Sequence, residues 1–346
     1  MIVAVGLSGG VDSSVAAAML SEQGHTVIGV TMKLWREGRY RGGERDACFG
    51  PGEAEDIAAS EALCRKLRIE YHVFDCADEY EAVVLEYFRS EYLAGRTPNP
   101  CVRCNALMKF GVLPQMARKS GIAFDRFATG HYARICAENG VFHLLRGADE
   151  KKDQSYFLYR LKQAQLKQMM FPLGDYRKTQ VRELAEAYGL SVKDKPDSQD
   201  FYSGDHVELL NASPRPGNIV DTAGNVLGTH DGFWNYTVGQ RKGLGIAAKH
   251  PLYVLEVNAC RNEVVVGCQS DTVQHELKLA DCSWITSEPD GEVQAKVRSA
   301  SNLVPAVYHA GSLEFPDGVF AAAKGQSAVL YRDDEVLGGG IITEAK

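Results

Sequence analysis

The chain has 346 residues, enough for two or three domains. Its 45% apolar and 24% charged composition is that of an ordinary globular protein, with no run long enough to span a membrane, so a disordered or membrane-embedded chain is excluded and no membrane partner is expected. A net charge of −7 argues against a broad nucleic-acid footprint, although local basic patches remain open. A strand that starts at Ile2 leaves no room for a secretory leader before it. Nine cysteines, odd in number and irregularly spaced, do not read as a disulfide framework, so a reducing, cytoplasmic location is expected.

Ile2-Val3-Ala4-Val5-Gly6-Leu7 is an unbroken apolar run, which predicts a strand buried on both faces. Ser14 to Leu20 predicts a helix. Between them, Ser8-Gly9-Gly10-Val11-Asp12-Ser13 makes a Gly/Ser loop at a helix N-terminus. Loop amides and the positive helix end converge there, which suits an anion. The paired glycines let a phosphate approach the backbone, and Ser8 and Ser13 add hydroxyls. Asp12 is out of place beside an anion unless a cation such as Mg²⁺ stands between them. The plain alternative is a Gly-rich turn that opens a helix.

Thr26 to Met32 predicts a second strand, and Glu53 to Leu67 a helix with Ile57, Leu63, Cys64 and Leu67 near helical spacing. Tyr71 to Phe74 predicts a third strand, Asp78 to Leu93 a helix, and Phe127 to His131 a further strand. This alternation predicts a mostly parallel sheet covered by helices, with ligands beyond the strand C-termini. Ser8 to Ser13, Met32 and Gly130-His131 fall at such ends and are expected to share one crevice. Ala133 to Leu145 predicts a hairpin turning at Asn139-Gly140, and Thr179 to Tyr188 a helix closed by Gly189. Past Gly204, Pro and Gly punctuate short segments, and from His275 short alternating runs predict a small β-barrel. Two basic clusters stand out, one from Lys33 through Arg36, Arg39 and Arg41 to Arg45, the other scattered from Lys151 to Arg182. Each is either solvated surface or a contact for a phosphate backbone.

The Ser8–Ser13 loop lacks the Gly-Lys-Ser/Thr ending of a Walker A loop and the dinucleotide glycine pattern. It resembles the SGGxDS pyrophosphate loop (PP-loop) of the ATP pyrophosphatases, where the loop holds the β and γ phosphates while an acceptor oxygen attacks the α phosphate. Five further segments carry a more specific likeness: Gly95 to Asn105 (GRTPNPCVRCN), Ala128 to Tyr132 (ATGHY), Lys152 to Leu158 (KDQSYFL), Lys195 to Asp200 (KPDSQD) and Tyr236 to Leu244 (YTVGQRKGL). In order and spacing they resemble the tRNA-specific 2-thiouridylases (tRNA-uridine 2-sulfurtransferases), which place sulfur at C2 of the wobble uridine.

The resemblance implies an α/β fold. A PP-loop domain, adenine nucleotide α-hydrolase-like, would fill residues 1–205, a small central domain residues 206–275, and a C-terminal β-barrel residues 276–346. It implies ATP and Mg²⁺, with Gly6, Leu7, Ser8, Gly9, Gly10, Val11, Asp12, Ser13, Met32 and Gly130 around the nucleotide. Asp12, Cys101 and Cys104 would be catalytic, and Asn99, Pro100 and Cys101 would lie against the target base. Lys152, Asp153, Gln154, Arg298 and Ser299 would contact tRNA, and Asp197, Ser198 and Gln199 would belong to an active-site loop. The partners implied are tRNA and a sulfur donor, either a persulfide relay protein or inorganic sulfide. One departure stands out. Most members carry a second catalytic cysteine shortly after the Asp-Ser-Gln segment, and Tyr202 holds that position here. A phenol cannot carry a sulfane sulfur.

The C2 oxygen of uridine is a poor leaving group until AMP is placed on it. A sulfur nucleophile then attacks C2 and AMP departs, while the enzyme supplies positioning and neutralises the pyrophosphate. Cys101-x-x-Cys104 follows two prolines, expected to hold a stiff loop, and Cys48 lies in another loop after the second strand. Cys48, Cys101 and Cys104 could together hold a [4Fe–4S] cluster with one iron open for sulfide, since three thiolates are one short of the usual four. Persulfide chemistry on Cys101 and Cys104 alone, a zinc half-site and plain thiols are the alternatives. His131 could touch nucleotide or base, or be structural. An ATP pyrophosphatase acting on a small molecule, and an inactive RNA-binding relative, are the competing readings of the whole chain.

Overall fold

The computed structural model describes residues 1–43, 47–193, 195–196 and 200–346. Five parallel strands form the first sheet: β1 (Ile2–Gly6), β2 (Thr26–Lys33), β4 (Glu70–Asp75), β5 (Arg126–Thr129) and β8 (Met169–Met170), in the order β4-β2-β1-β5-β8. Val3, Ala4 and Val5 are fully buried in the middle of that sheet, as an unbroken apolar run requires. The chain moves from β1 outward to β2 and β4, then returns to β5 on the other side. The switch point where a ligand crevice opens therefore lies beyond the C-terminal ends of β1 and β5.

Helix α1 (Val11–Glu22) is buried from Val11 to Leu20 except at Asp12, and the small Ala16, Ala17 and Ala18 let it sit close to its neighbours. Helix α2 (Glu53–Leu67) runs over the predicted span. Residues 77–93 form a longer helix, α3, interrupted by a π turn at Glu81–Leu85. Residues 100–119 form α4, in which Cys104–Val112 is also π-helical. The segment expected as a stiff proline loop is thus the start of a helix. Pro100 occupies the first turn, where a missing N–H costs nothing, and the Asn99 side chain accepts the Val102 N–H at 3.2 Å. Helix α5 (Lys178–Ala187) ends before Gly189, whose φ of +60° is the left-handed stop foreseen from sequence.

Two short strands, β3 (Ala47–Phe49) and β9 (Asp200–Tyr202), pair in parallel with Ala47 opposite Asp200 and Phe49 opposite Tyr202. After α6 (His206–Leu210) comes a four-stranded sheet of β10 (Gly217–Val220), β11 (Val226–His230), β12 (Tyr253–Asn258) and β13 (Glu263–Gly267), in the order β11-β10-β13-β12. The C-terminal strands β14 (Val273–Trp284), β15 (Gly291–Lys296), β16 (Val304–His309), β17 (Ser312–Phe320), β18 (Ser327–Arg332) and β19 (Glu335–Ala345) close into a barrel through the β14–β19 pairing. Leu277, Ala295, Tyr308, Leu313, Phe315 and Leu330 belong to its buried interior.

The hairpin of β6 (Ala133–Glu138) and β7 (Val141–Arg146) turns at Asn139-Gly140, both at positive φ, as predicted. Its partner was not foreseen. Strand β7 pairs with β19, so the hairpin extends the barrel sheet rather than standing on the nucleotide domain. Among the described residues no helix is long and apolar enough to cross a membrane.

Candidate active site

The loop after β1 is built by close approach. Gly9 has φ +70°, and a Cβ there would lie 2.6 Å from the main chain of Asp56 at the start of α2. A Cβ on Gly130 would lie 2.6 Å from the main chain of Asp12 and Ser13. Gly130 is thus the floor on which the loop rests. Gly10 faces open space, with Ser8 Oγ its nearest neighbour at 3.6 Å. Ser13 Oγ accepts the Ser8 N–H at 3.2 Å and lies 3.3 Å from Ser8 Oγ, and Ser14 Oγ donates to the Gly10 carbonyl at 2.7 Å. Leu7 is tied to β2 by its N–H to the Val30 carbonyl and by its carbonyl to Thr31 Oγ1. The unpaired N–H groups of the first turn of α1 open beside Gly10. Gly6 closes β1, Met32 is next to last in β2 and Gly130 follows β5, so these and the segment leading from β1 into α1 lie at the C-terminal ends of the sheet.

Asp12 does not stand alone. Lys178 Nζ donates to its Oδ1 and Oδ2 at 2.7 and 2.9 Å, and Tyr132 Oη donates to Oδ1 at 2.8 Å. Lys195 reaches the other end of the loop, donating to the Gly9 carbonyl at 3.4 Å and pairing with Asp56. These lysines lie 166 and 139 residues from their partners, and no local pattern announced them. Just beyond the end of β2, both oxygens of Glu53 accept the N–H groups of Leu34 and Trp35 at 2.7 and 2.9 Å.

Cys101 and Cys104 are one helical turn apart on α4, each half-buried, and Cys48 is exposed on β3. Lys109 lies five residues on from Cys104, within the π turn that Cys104 opens. Burial pushes the Cys101 thiol up to about 12, with Cys48 adding to the rise and Lys109 opposing it. Burial likewise pushes Cys104 up to about 11, again against Lys109. Burial works to lower Lys109, and Cys48, Cys104 and Cys101 outweigh it. The three cysteines singled out from sequence therefore all act on the charge of Lys109. Among the described residues, no three His, Cys, Asp or Glu side chains converge as ligands of a single metal ion.

Tyr202 is fully buried among Tyr40, Phe49 and Phe201. Its hydroxyl accepts the Gly42 N–H at 3.2 Å and donates to Glu208. At this position the phenol is a packing residue that holds the 40s loop. His131 is structural too. It is buried between Phe110 and Phe171, with Nδ1 2.7 Å from Thr129 Oγ1. Burial, with Lys109 in support, holds it well below the usual histidine range, so it stays neutral.

Two of the expected RNA contacts have internal partners in the structure. The Asp153 carboxylate is 1% exposed, accepts the Gly147 and Ser155 N–H groups at 3.1 Å, and faces Arg146 and Lys296 at 3.7 Å each. A carboxylate so enclosed organises its own segment. Arg298 is turned inward, its Nη2 donating to the carbonyls of Val238 at 2.5 Å and Ala321 at 2.7 Å, where it stitches the central sheet to the barrel. Ser299 beside it is exposed. Lys152 is half-buried, and Gln154 Oε1 accepts the Tyr132 N–H at 2.9 Å. In the basic loop, Arg36 and Arg39 pair with Asp78 and Glu81 at 2.9 and 3.0 Å. Asp197, Ser198 and Gln199 lie outside the described residues, as does Arg45.

Residues 1–202 match the family model described as the tRNA methyl transferase HUP domain, residues 208–268 the tRNA methyl transferase PRC-barrel domain, and residues 274–342 the aminomethyltransferase beta-barrel domain. A tRNA-specific 2-thiouridylase of Endomicrobium trichonymphae is 46% identical over 99% of both chains. One from Clostridium perfringens is 42% identical over 98% of both. A solved 4-thiouridine synthetase–RNA complex with bound ATP is 17% identical, covering 61% of this chain and 45% of that one at a TM-score of 0.37, a likeness too loose to bear functional weight. The match to the curated relatives spans all three matched stretches, and on that ground the chain belongs to the tRNA-specific 2-thiouridylase family.

Proposed function

We propose that this protein replaces the C2 oxygen of the wobble uridine of tRNA by sulfur, cleaving ATP to AMP and pyrophosphate. The observation that carries the reading is an intact anion loop at the switch point of a parallel sheet, on a chain where Cys48, Cys101 and Cys104 all act on the charge of Lys109. Gly6 to Ser13, Met32 and Gly130 would hold ATP, with the β and γ phosphates on the amides of the loop and of α1. Asp12 would share a Mg²⁺ with those phosphates, once Lys178 and Tyr132 yield. Asn99, Pro100 and Cys101 would face the base, which must leave its stack at a cost of a few kcal/mol, least in a loop. The uridine O2 then attacks the α phosphate, pyrophosphate departs into the loop, and AMP leaves when sulfur adds to C2. Lys152, Asp153, Gln154, Arg298 and Ser299 would contact the tRNA, with Lys152, Gln154 and Ser299 the more accessible of them.

The sulfur chemistry falls to Cys48, Cys101 and Cys104. An all-thiol set, two half-buried on α4 and one exposed on β3, suits an iron–sulfur cluster, whose separate irons do not require ligands to meet at a point. The three would hold a [4Fe–4S] cluster, which when bound offers sulfide an iron without a protein thiolate. Lys109 offsets the negative charge of the thiolates. Tyr202 then needs no sulfur role. All nine cysteines are free, which suits the reducing cytoplasm where tRNA is modified.

The test is iron and acid-labile sulfide on anaerobically reconstituted protein, paired with a 2-thiouridine assay using tRNA, ATP and sulfide. About four irons per chain and sulfide-dependent product are expected. Absence of iron with activity from a persulfide donor would move the chemistry to Cys101 and Cys104, and a fully active Cys48→Ala would do the same. Failure of tRNA to stimulate pyrophosphate release would sink the reading itself.

A further inference from the structure

The nucleotide loop is flanked by two lysines, and each is neutralised by a carboxylate that belongs to the loop or to the helix packed on it. Lys178 opens α5 and is 92% buried, its ammonium held by both oxygens of Asp12. Lys195 spans from Asp56, on α2, to the carbonyl of Gly9. Both ammoniums thus stand at the two ends of a segment whose glycines, amides and hydroxyls are shaped for an anion. A triphosphate carries more negative charge than a few N–H dipoles offset, and charge-assisted contacts from lysine are the usual complement. A buried ammonium without a partner is costly, and Asp12 and Asp56 supply one to each lysine.

We propose that Lys178 and Lys195 are the cationic arms of the nucleotide site, each exchanging its carboxylate, Asp12 or Asp56, for phosphate oxygens when the nucleotide binds. The inference rests on the ATP site proposed above and deepens it. Transfer of Lys178 does a second thing: it releases the Asp12 carboxylate at the moment when a phosphate-bound cation needs it. The lysine therefore keeps the place of the divalent ion until nucleotide arrives, and Tyr132, donating to the same Oδ1, keeps the carboxylate aimed. Lys195 pulls in the same direction from α2. Its departure from Asp56 removes the ammonium bridge between that helix and the Gly9 carbonyl, and a shared phosphate takes its place.

The experiment is calorimetric binding of inorganic pyrophosphate and of ATP, each with Mg²⁺, to the full chain without tRNA. Lys178→Met and Lys195→Met keep the apolar stems, and each is expected to weaken pyrophosphate about tenfold or more. Lys→Arg at either position should recover most of that loss. Asp56→Asn removes the competing carboxylate and is expected to tighten pyrophosphate severalfold, an effect that a misfolded variant cannot mimic. Wild-type pyrophosphate affinity in both methionine variants, with only a lower melting temperature, would make the pairs structural struts and overturn the proposal. So would weaker binding by Asp56→Asn. If wild-type protein binds neither ligand, the nucleotide reading falls as well; intact wild-type binding with unaffected lysine variants removes this inference alone.

Discussion

Gly10→Ala should separate binding from folding. Gly10 has φ −95° and ψ 171°, a conformation open to any residue, and a Cβ there meets nothing closer than Ser8 Oγ at 3.6 Å. The empty protein should therefore fold and melt as wild type does. A phosphate on the first amides of α1 would meet that methyl and be held off them. Losing one or two hydrogen bonds to a charged ligand, at about 1.5–3 kcal/mol together, weakens binding about 10- to 150-fold. Gly130→Ala makes the contrast. Its Cβ would sit 2.6 Å from the Asp12 and Ser13 main chain, so the loop must move by nearly an ångström to reach ordinary contact. Overpacking of this kind costs about 1–3 kcal/mol, and a misplacement near 1 Å costs about a hundredfold in rate. Gly52→Ala, next to α2 with nothing within 4 Å, is the silent control. The assay is thermal melting together with pyrophosphate titration. If Gly10→Ala binds pyrophosphate like wild type, the phosphates do not sit where the loop points. If Gly130→Ala melts like wild type, the close approach is not a constraint.

Arg298→Ala should lower stability by about 2–4 kcal/mol through two abandoned carbonyls, visible as a lower urea midpoint, whereas Ser299→Ala should leave the midpoint unchanged. Equal midpoints for both would show that Arg298 does not join the central sheet to the barrel. His131 predicts a pH effect. Its folded form binds a proton less readily than the unfolded chain, so its contribution is complete above about pH 6.5 and is lost as pH falls below that, at up to about 1.4 kcal/mol per unit. Stability of His131→Gln should fall less steeply between pH 7 and 5.5, and parallel slopes would refute the assignment.

Local patterns were legible. The apolar run of β1, the glycine pair, the span of α2 and the Asn139-Gly140 turn each depend on residues within a few positions of one another. What escaped the sequence depends on long-range pairing. Nothing near Lys178 names Asp12 as its partner, and nothing in β3 names Asp200. The proline segment was misread as a stiff loop because Asn99 and Pro100 are equally good at starting a helix, and only the Val102 N–H shows which they do. The cysteines were found by type, but their shared lysine was not, since a π turn has no sequence signature comparable to helical spacing. Family likeness puts Asp153 and Arg298 in RNA contact; their partners Lys296 and Val238 lie far along the chain, and no local pattern names them.

The β7–β19 pairing has a consequence for how the chain is made. Leu144 and Leu145 leave the ribosome roughly 190 residues before the Glu335 and Val336 they pair with. At about 5–20 residues per second, the hairpin waits about 10–40 s with one strand edge open. An open edge is a template for pairing with another nascent chain. Shortening the chain at its C-terminus would make that exposure permanent, so truncations that spare every residue of the nucleotide site should still be lost to aggregation.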